Sequence, residues 1–274
     1  MATDRVAPLA TGVERIAAAF EAAREDGHAA LMPYMMGDFP DSGTSRAVAE
    51  AYVDAGADLI ELGVPFSDPL ADGPVIHAAA TTALDGGATL ERVLETCAEV
   101  ADRVPVVAMC YANMILAEGP REYAERLEAA GAAGTIVPDL PLEEAGGLEP
   151  ELDARGLALV PLVAPTTPPD RRRWICERAE GFVYVVSVSG ITGEREELPA
   201  ELGELVAEVR SEAAVPAAVG FGVGTPEQAA AVGRIADGVI VGSRLVRAVA
   251  DAPDASAAVA AVTEFLRDAR AAMG

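Results

Sequence analysis

The segment "LIELGVPFSDPLADGP" at residues 59–74 combines a short apolar run with acidic residues in a proline-broken loop. Glu61 lies in the apolar run, and Asp68 and Asp72 follow in the loop. An ionised carboxylate in a buried strand is costly unless it is paired or used. Two carboxyl groups in different surroundings can divide the work of acid–base catalysis. Glu61 and Asp72 are therefore the leading catalytic candidates, and Asp68 is a weaker one that could cap a turn or face a partner.

Apolar runs alternate with amphipathic helical patterns along the whole chain. About eight runs, such as "AALMPYMM" and "VPVVAMCYA", are continuous enough to be strands buried on both faces. This order predicts a single (β/α)₈ barrel, a TIM barrel, as one domain over residues 1–274. An open doubly wound sheet is the alternative, and the lack of a GxGxxG after the first strand argues against it. The segment "GVERIAAAFEAAREDG" predicts an extra N-terminal helix across the floor of the barrel.

Polar residues recur where the predicted strands end. Glu61 and Asp72 belong to the second strand and its loop, Tyr111 ends the third strand, Asp139 ends the fourth, and Tyr184 lies in the sixth. Barrel enzymes assemble their chemistry from the carboxyl ends of several strands. We therefore expect these side chains to converge on one face of the barrel.

The loops after the seventh and eighth strands have the composition of an anion site. The segments "GFGVGTPEQ" and "GVIVGSRLV" each place glycines between a strand and a helix. Free main-chain N–H groups and the helix dipole favour an anion there, and this fold often holds phosphate in these two loops. The Ser243 hydroxyl would add a donor, whereas Arg244 is better explained as a solvated helix residue. The segment "SGITGEREELP" after the sixth strand is typical of an active-site lid.

Composition excludes several classes of function. The formal net charge of −24 argues against nucleic acid or an anionic membrane as partner. All 20 basic residues are arginine, which excludes a lysine Schiff base and a covalently held pyridoxal phosphate on this chain. Three scattered cysteines and two histidines lack metal-ligand spacing, so no metal site is predicted. The absence of a signal-peptide pattern and of a long apolar span predicts a reduced, cytoplasmic protein.

Seven motifs in one order across nearly the whole chain resemble the tryptophan synthase alpha chain family. They are "MPYMMGDFP", "ELGVPFSDPLADGP", "CYAN", "PDLP", "SGITG", "GFGV" and "VGS". The second is highly specific, and the others are weak individually. The resemblance implies a (β/α)₈ barrel that cleaves indole-3-glycerol phosphate into indole and glyceraldehyde 3-phosphate in tryptophan biosynthesis. It also implies a beta-chain partner in an α₂β₂ assembly, with pyridoxal phosphate on the beta chain and no cofactor on this one.

The resemblance also assigns residues. Glu61 matches the catalytic glutamate, Asp72 the aspartate that engages the indole N–H, and Tyr184 the strand-six tyrosine near the substrate. The lid threonine is matched by Thr192. Phosphate-binding positions fall on Gly193, Gly222, Gly242 and Ser243. The indole pocket falls on Tyr34, Met109, Tyr111, Pro138, Val163 and Phe221. Tyr34, Met109 and Pro138 depart from the family's most familiar residues.

The chemistry of the residues agrees with this assignment. A retro-aldol cleavage can use a lysine Schiff base, a metal-bound enolate, or acid–base catalysis on a substrate that is its own electron sink; the composition leaves the third. We expect burial to raise the pKa of Glu61, so that it can act as an acid, and Asp72 to stay ionised. The alternatives are a stand-alone indole-3-glycerol phosphate lyase, a catalytically silent barrel that regulates a beta-type enzyme, and another phosphate-binding barrel. The lysine-dependent chemistry of such barrels is not available to this chain.

Overall fold

Short parallel strands alternate with helices along the chain, in a computed structural model that describes residues 10–186, 200–220 and 222–274. The strands are β1 (Ala30–Met36), β2 (Ile60–Gly63), β3 (Val106–Met109), β4 (Gly134–Ile136), β5 (Ala158–Val160), β6 (Leu162–Val163), β7 (Val183–Val186), β8 (Ala217–Gly220) and β9 (Gly238–Val241). The helices are α1 (Gly12–Glu25), α2 (Ser42–Asp54), α3 (Pro74–Asp85), α4 (Leu90–Val100), α5 (Ala112–Glu118), α6 (Pro120–Ala129), a 3₁₀ helix (Leu142–Gly147), α7 (Glu149–Asp153), α8 (Pro169–Cys176), α9 (Ala200–Glu212), α10 (Pro226–Gly233), α11 (Ser243–Ala250) and α12 (Ala255–Met273).

The strands form one sheet in the order β5-β4-β3-β2-β1-β9-β8-β7-β6. Its two ends, β5 and β6, are consecutive in the chain and separated only by Pro161. Proline has no N–H to donate to a strand ladder, so it divides the fifth strand into two short pieces. β5 pairs with β4, and β6 pairs with β7, so that together they fill one strand position. The sheet is therefore the predicted eight-position barrel, and the open doubly wound alternative is wrong.

The predicted N-terminal helix α1 covers the floor of the barrel. It begins with a capping box between Thr11 and Glu14, the arrangement that satisfies the first free N–H groups of a helix. Ile16 and Phe20 are buried in the same cluster as inward-facing strand residues, and the Phe20 ring lies 5.7 Å from that of Phe182. This helix therefore closes the end of the barrel opposite the strands' carboxyl ends.

Arginine side chains fasten the outer elements to the barrel. Arg15 of α1 donates to the carbonyl oxygens of Ala101, Val104 and Gly131, which follow α4 and α6. Near the end of α12, Arg270 donates to both oxygens of Asp58, at 2.8 and 3.1 Å. Asp58 in turn accepts the N–H of Leu31 in β1 at 2.7 Å. These contacts connect both terminal helices to the strands that carry the site.

Candidate active site

Glu61 points into the barrel from β2. It is in register with Tyr34 of β1 and Val107 of β3, and Val107 belongs to the inward-facing cluster. Residues in register on neighbouring strands direct their side chains to the same face, so Glu61 shares that interior. The residue is 1% exposed, and neither carboxyl oxygen has a hydrogen-bond partner among the described residues. A buried carboxyl group without a partner favours its neutral form.

The surroundings of Glu61 make it a proton donor at neutral pH. Burial, with a smaller contribution from the charge of Asp72, raises the pKa of Glu61 from 4.5 to about 8. A carboxyl group with this pKa is mostly protonated at pH 7, and a pKa near the working pH suits general acid catalysis. The upward direction of this pKa shift agrees with the expectation from the sequence.

Asp72 lies partly buried in the loop between β2 and α3. Its Oδ1 accepts a hydrogen bond of 2.9 Å from the Tyr111 hydroxyl. Burial raises the pKa of Asp72 above 3.8, whereas the Tyr111 hydrogen bond and the nearby His77 lower it. The two carboxyl groups therefore differ in kind: that of Glu61 is enclosed and finds no partner in residues 10–186, 200–220 and 222–274, while that of Asp72 is held by a donor. Ionisation of Asp72 at neutral pH stays a prediction.

Two buried tyrosines flank Glu61, and each lies over a glycine. A Cβ atom on Gly63 would be 2.1 Å from the Tyr34 Oη, and one on Gly220 would be 2.3 Å from the Tyr184 Oη. Only glycine allows so close an approach of a side chain to the backbone. Burial, with the charge of Glu61 adding to it, raises the pKa of both phenols well above 10. Both hydroxyls are therefore protonated donors at neutral pH.

Tyr184, which the sequence placed in the sixth strand, lies on β7 and faces the same interior as Glu61. Val163, by contrast, is on the outer side of its strand. Val163 is in register with Val185, and both belong to the cluster that faces the outer helices. Leu162 is in register with Tyr184 and packs against the inward-facing cluster. Leu162 therefore faces the interior of the barrel, where it can line a pocket. Sequence reasoning missed it because the break at Pro161 obscures the alternation of this strand.

The remaining predicted pocket residues follow β3 and β4. Met109 ends β3, is partly exposed, and packs against the inward-facing cluster. Pro138 is partly buried in the turn after β4. Tyr111 is the first flanking residue of α5, and Asp139 accepts the N–H of Ala112 at 2.8 Å. Asp139, which the sequence placed among the converging polar groups, is therefore a capping residue that joins two neighbouring loops.

The two predicted phosphate loops differ in how their helix N-termini are satisfied. At α10, Thr225 and Gln228 form a capping box, and Gln228 Oε1 also accepts the N–H of Gly224 at 2.7 Å. At α11, the flanking Gly242 forms no side-chain cap, and Ser243 is exposed in the first turn. The uncapped N–H groups of α11 are thus the better donors for an anion.

Two further glycine-loop residues have distinct positions. Gly222 has φ +20° and is exposed in the loop between β8 and α10. The guanidinium of Arg244 lies 5.1 Å from the centre of the Phe265 ring on α12, which directs it to the outer layer and agrees with its interpretation as an ordinary helix residue. Three predicted residues, Thr192, Gly193 and Phe221, lie outside the described residues.

The described part of the chain holds no group of three or more His, Cys, Asp or Glu side chains suited to a metal ion. Across the same residues, no helix combines the length and apolar character needed to cross a membrane.

Fold and site together define a class of protein: a (β/α)₈-barrel enzyme with a proton-donating glutamate inside the barrel, a second carboxyl group in the adjacent loop, and an uncapped helix N-terminus after the last strand. The sequence profile of the tryptophan synthase alpha chain matches residues 20–273. The chain belongs to the tryptophan synthase alpha chain family. It accordingly has the family's lyase activity and role in tryptophan biosynthesis.

Individual relatives agree with this assignment. The tryptophan synthase alpha chain of Prochlorococcus marinus is 44% identical over 252 residues, which are 91% of this chain and 92% of the relative. That of Synechocystis is 46% identical over 239 residues, 86% of this chain and 90% of the relative. Among solved structures, a Mycobacterium tuberculosis tryptophan synthase chain has a TM-score of 0.88 at 35% identity and covers 94% of this chain and 98% of its own length. The Legionella pneumophila alpha chain has a TM-score of 0.86 at 34% identity, and the match covers 94% of this chain and 97% of the Legionella chain.

Proposed function

We propose that Glu61 and Asp72 carry out the cleavage of indole-3-glycerol phosphate into indole and glyceraldehyde 3-phosphate in this chain, with Tyr184 beside them. The observation that supports this most is the state of Glu61. Its carboxyl oxygens are buried and have no hydrogen-bond partner in the described part of the chain, and its pKa is about 8. Such a group can give a proton to a substrate carbon and then accept one from a hydroxyl, which is what this reaction needs.

The proposed steps balance within the substrate and one side chain. Glu61 gives its proton to C3 of the indole ring, and the ring becomes a cation whose N–H is held by Asp72. The resulting carboxylate of Glu61 takes the proton of the glycerol hydroxyl next to the ring. The C–C bond breaks, its electrons return to the ring, and indole and the aldehyde are formed with Glu61 again protonated. Acid–base help of this kind contributes about 10²–10⁴ in rate, and placing a negative charge beside the cation adds to it.

Other residues are proposed to hold the two ends of the substrate. For the phosphate we propose Gly193, Gly222, Gly242 and Ser243, with the uncapped first turn of α11 as the main donor. For the ring we propose Tyr34, Met109, Tyr111, Pro138 and Phe221, with Leu162 as a wall in place of Val163, which faces the outer helices. Thr192 is proposed to close a lid over the site.

We also propose that this chain works as one domain in the cytoplasm, in an α₂β₂ complex whose beta chains carry pyridoxal phosphate. The family's beta-chain partner has a candidate docking surface at the site end of the barrel. Leu70, in the loop that holds Asp72, is 85% exposed, and Leu116 of α5 is 68% exposed. Large apolar side chains exposed at one end of a barrel are typical of a protein interface. The absence of lysine from this chain supports placing the cofactor on the partner.

The test measures glyceraldehyde 3-phosphate formed from indole-3-glycerol phosphate by the purified chain, with and without a beta chain, beside Glu61→Gln and Asp72→Asn. Cleavage that rises with the beta chain and is lost in both variants supports the proposal. Full cleavage without a partner identifies a stand-alone lyase. No cleavage under either condition, with beta-chain activity altered, identifies a silent regulatory barrel. Near-normal cleavage by Glu61→Gln would overturn the assignment of the acid.

A further inference from the structure

Tyr111 holds the loop that carries Asp72 at both of its ends. Its ring stacks on Phe66, with centroids 5.2 Å apart and planes 27° apart. Its hydroxyl accepts the N–H of Ala71 at 3.2 Å and donates to Asp72 Oδ1 at 2.9 Å. A hydroxyl has a single proton, and the Ala71 N–H occupies one of its lone pairs. The proton is therefore directed to Asp72, and the orientation of this hydrogen bond is determined.

Tyr111 is itself held in place by neighbouring elements. It follows β3 and is 3% exposed. Its carbonyl oxygen accepts the N–H of Met114 at 3.0 Å in the first turn of α5. The N–H of the next residue, Ala112, donates to Asp139 Oδ1 at 2.8 Å in the loop after β4. A contact made by so constrained a side chain can orient a loop residue, because little freedom remains for the pair.

We propose that Tyr111 is a positioning residue for the cleavage reaction: its hydroxyl holds Oδ1 of Asp72 so that Oδ2 is turned toward the ring N–H of the substrate. This inference rests on the proposed role of Asp72. Among the described residues, no hydrogen bond is made to Asp72 Oδ2. A neutral phenol suits this task, since it orients the carboxylate without cancelling the negative charge that must face the ring cation. An arginine or lysine at this place would form an ion pair and weaken that charge.

Within the part of the chain that the structure describes, the charged and titratable groups around Asp72 come from four elements. Tyr111 flanks α5, His77 lies on α3, Tyr34 on β1 and Glu61 on β2. Of these, Tyr111 gives the larger of the two effects that lower the pKa of Asp72, and burial opposes it. Removing the Tyr111 hydroxyl therefore raises the pKa of Asp72. The acid limb of kcat/KM should then move to higher pH.

Two roles of Tyr111 can be separated by experiment. The ring is part of the proposed indole pocket, and the hydroxyl makes the contact with Asp72. Tyr111→Phe removes the hydroxyl and keeps the ring and its stack on Phe66. Tyr123→Phe is a matched control, because Tyr123 is also buried and its hydroxyl lies 2.8 Å from Thr135 Oγ1, in the outer layer.

The experiment uses the complex with a tryptophan synthase beta chain and follows glyceraldehyde 3-phosphate release from pH 5 to 9. In Tyr111→Phe we expect kcat to fall about tenfold to a hundredfold, the range for a hydrogen bond to a charged group, with a smaller change in KM. The acid limb should move upward in the same variant. Tyr123→Phe should keep the wild-type kcat and the wild-type acid limb, whatever its melting temperature.

Each contrary result has a distinct meaning. If Tyr111→Phe keeps the wild-type kcat and acid limb while Asp72→Asn is inactive, the inference is wrong and the proposed function stands. If Asp72→Asn is as active as the wild type, the proposed role of Asp72 fails first. Equal losses in both tyrosine variants would show a structural role only. Should Tyr111→Phe fail to fold, 3-fluorotyrosine at position 111 decides: a stronger donor of the same shape must lower the acid limb, and an unchanged limb overturns the inference.

Discussion

The buried carboxyl group of Glu61 predicts an unusual dependence of stability on pH. In the folded protein its pKa is about 8, against an ordinary value of 4.5. Between these values the unfolded chain loses the proton and the folded chain keeps it. Because the folded pKa is the raised one, the contribution of Glu61 to stability is fully present at and below pH 4.5 and is lost as the pH rises toward about 8. The cost is about 1.4 kcal/mol per pH unit, hence about 3 kcal/mol at pH 7 and somewhat under 5 kcal/mol above pH 8.

Glu61→Gln removes this cost without changing the shape of the side chain. The amide does not titrate, so its own penalty for lacking a partner is the same at every pH. The free energy of unfolding of the wild type, minus that of the variant, should therefore fall steadily from pH 5 to 8 and level off above. The variant should be the more stable protein at the alkaline end, while its cleavage activity is lost.

Urea unfolding followed by circular dichroism at each pH unit from 5 to 9 measures this difference. Glu201→Gln is the control, because Glu201 is exposed on α9. Its replacement should change the free energy of unfolding by a small amount that is the same at every pH. A wild-type minus Glu61→Gln difference that stays constant across this range would refute the argument, since it would mean that Glu61 titrates normally in the folded protein.

Three other predictions follow from the same site and its supports. The value of kcat/KM should fall above about pH 8 as Glu61 loses its proton, which a pH profile of glyceraldehyde 3-phosphate release measures. Gly63→Ala should lower kcat/KM about a hundredfold, because its Cβ would lie 2.1 Å from the Tyr34 hydroxyl and displace it toward the reacting groups. Arg92→Ala should destabilise the fold by about 3 kcal/mol in urea unfolding, because it leaves the buried Asp38 carboxylate without the guanidinium 2.8 Å away.

Each of these has a control or a contrary result. A rate that stays level to pH 9.5 would show that Glu61 is not the acid. Gly203→Ala is the control for the glycine variant, because a Cβ there meets no atom of the described residues within 4 Å, and it should leave kcat/KM unchanged. Arg46→Ala breaks two exposed pairs, with Glu95 and Glu99, and should cost about 0–1 kcal/mol. Equal losses in the two arginine variants would contradict the importance given to burial.

The alternation of strand and helix patterns was sufficient to predict the barrel, its extra floor helix and the candidate acid. Buried parallel strands are continuous apolar runs, so an acidic residue within one is conspicuous in the sequence itself. The split of the fifth strand was not predicted, although Pro161 was visible, because its consequence depends on which neighbours pair on either side. The inward position of Leu162 depends on the same pairing.

The amino-acid sequence by itself determined the class of chemistry: the absence of lysine, the paired carboxyl residues and the family motifs are properties of residue type and spacing. Only the tertiary structure decided the state of these groups. The pKa of Glu61 depends on burial by strands distant in the chain, and the Asp72–Tyr111 hydrogen bond joins residues separated by 39 positions. The capping box at the N-terminus of α10, and the lack of a side-chain cap from Gly242 at that of α11, likewise depend on the positions of side chains. Solvation and hydrogen bonding are set by neighbours in space, and those neighbours exist only once the barrel has formed.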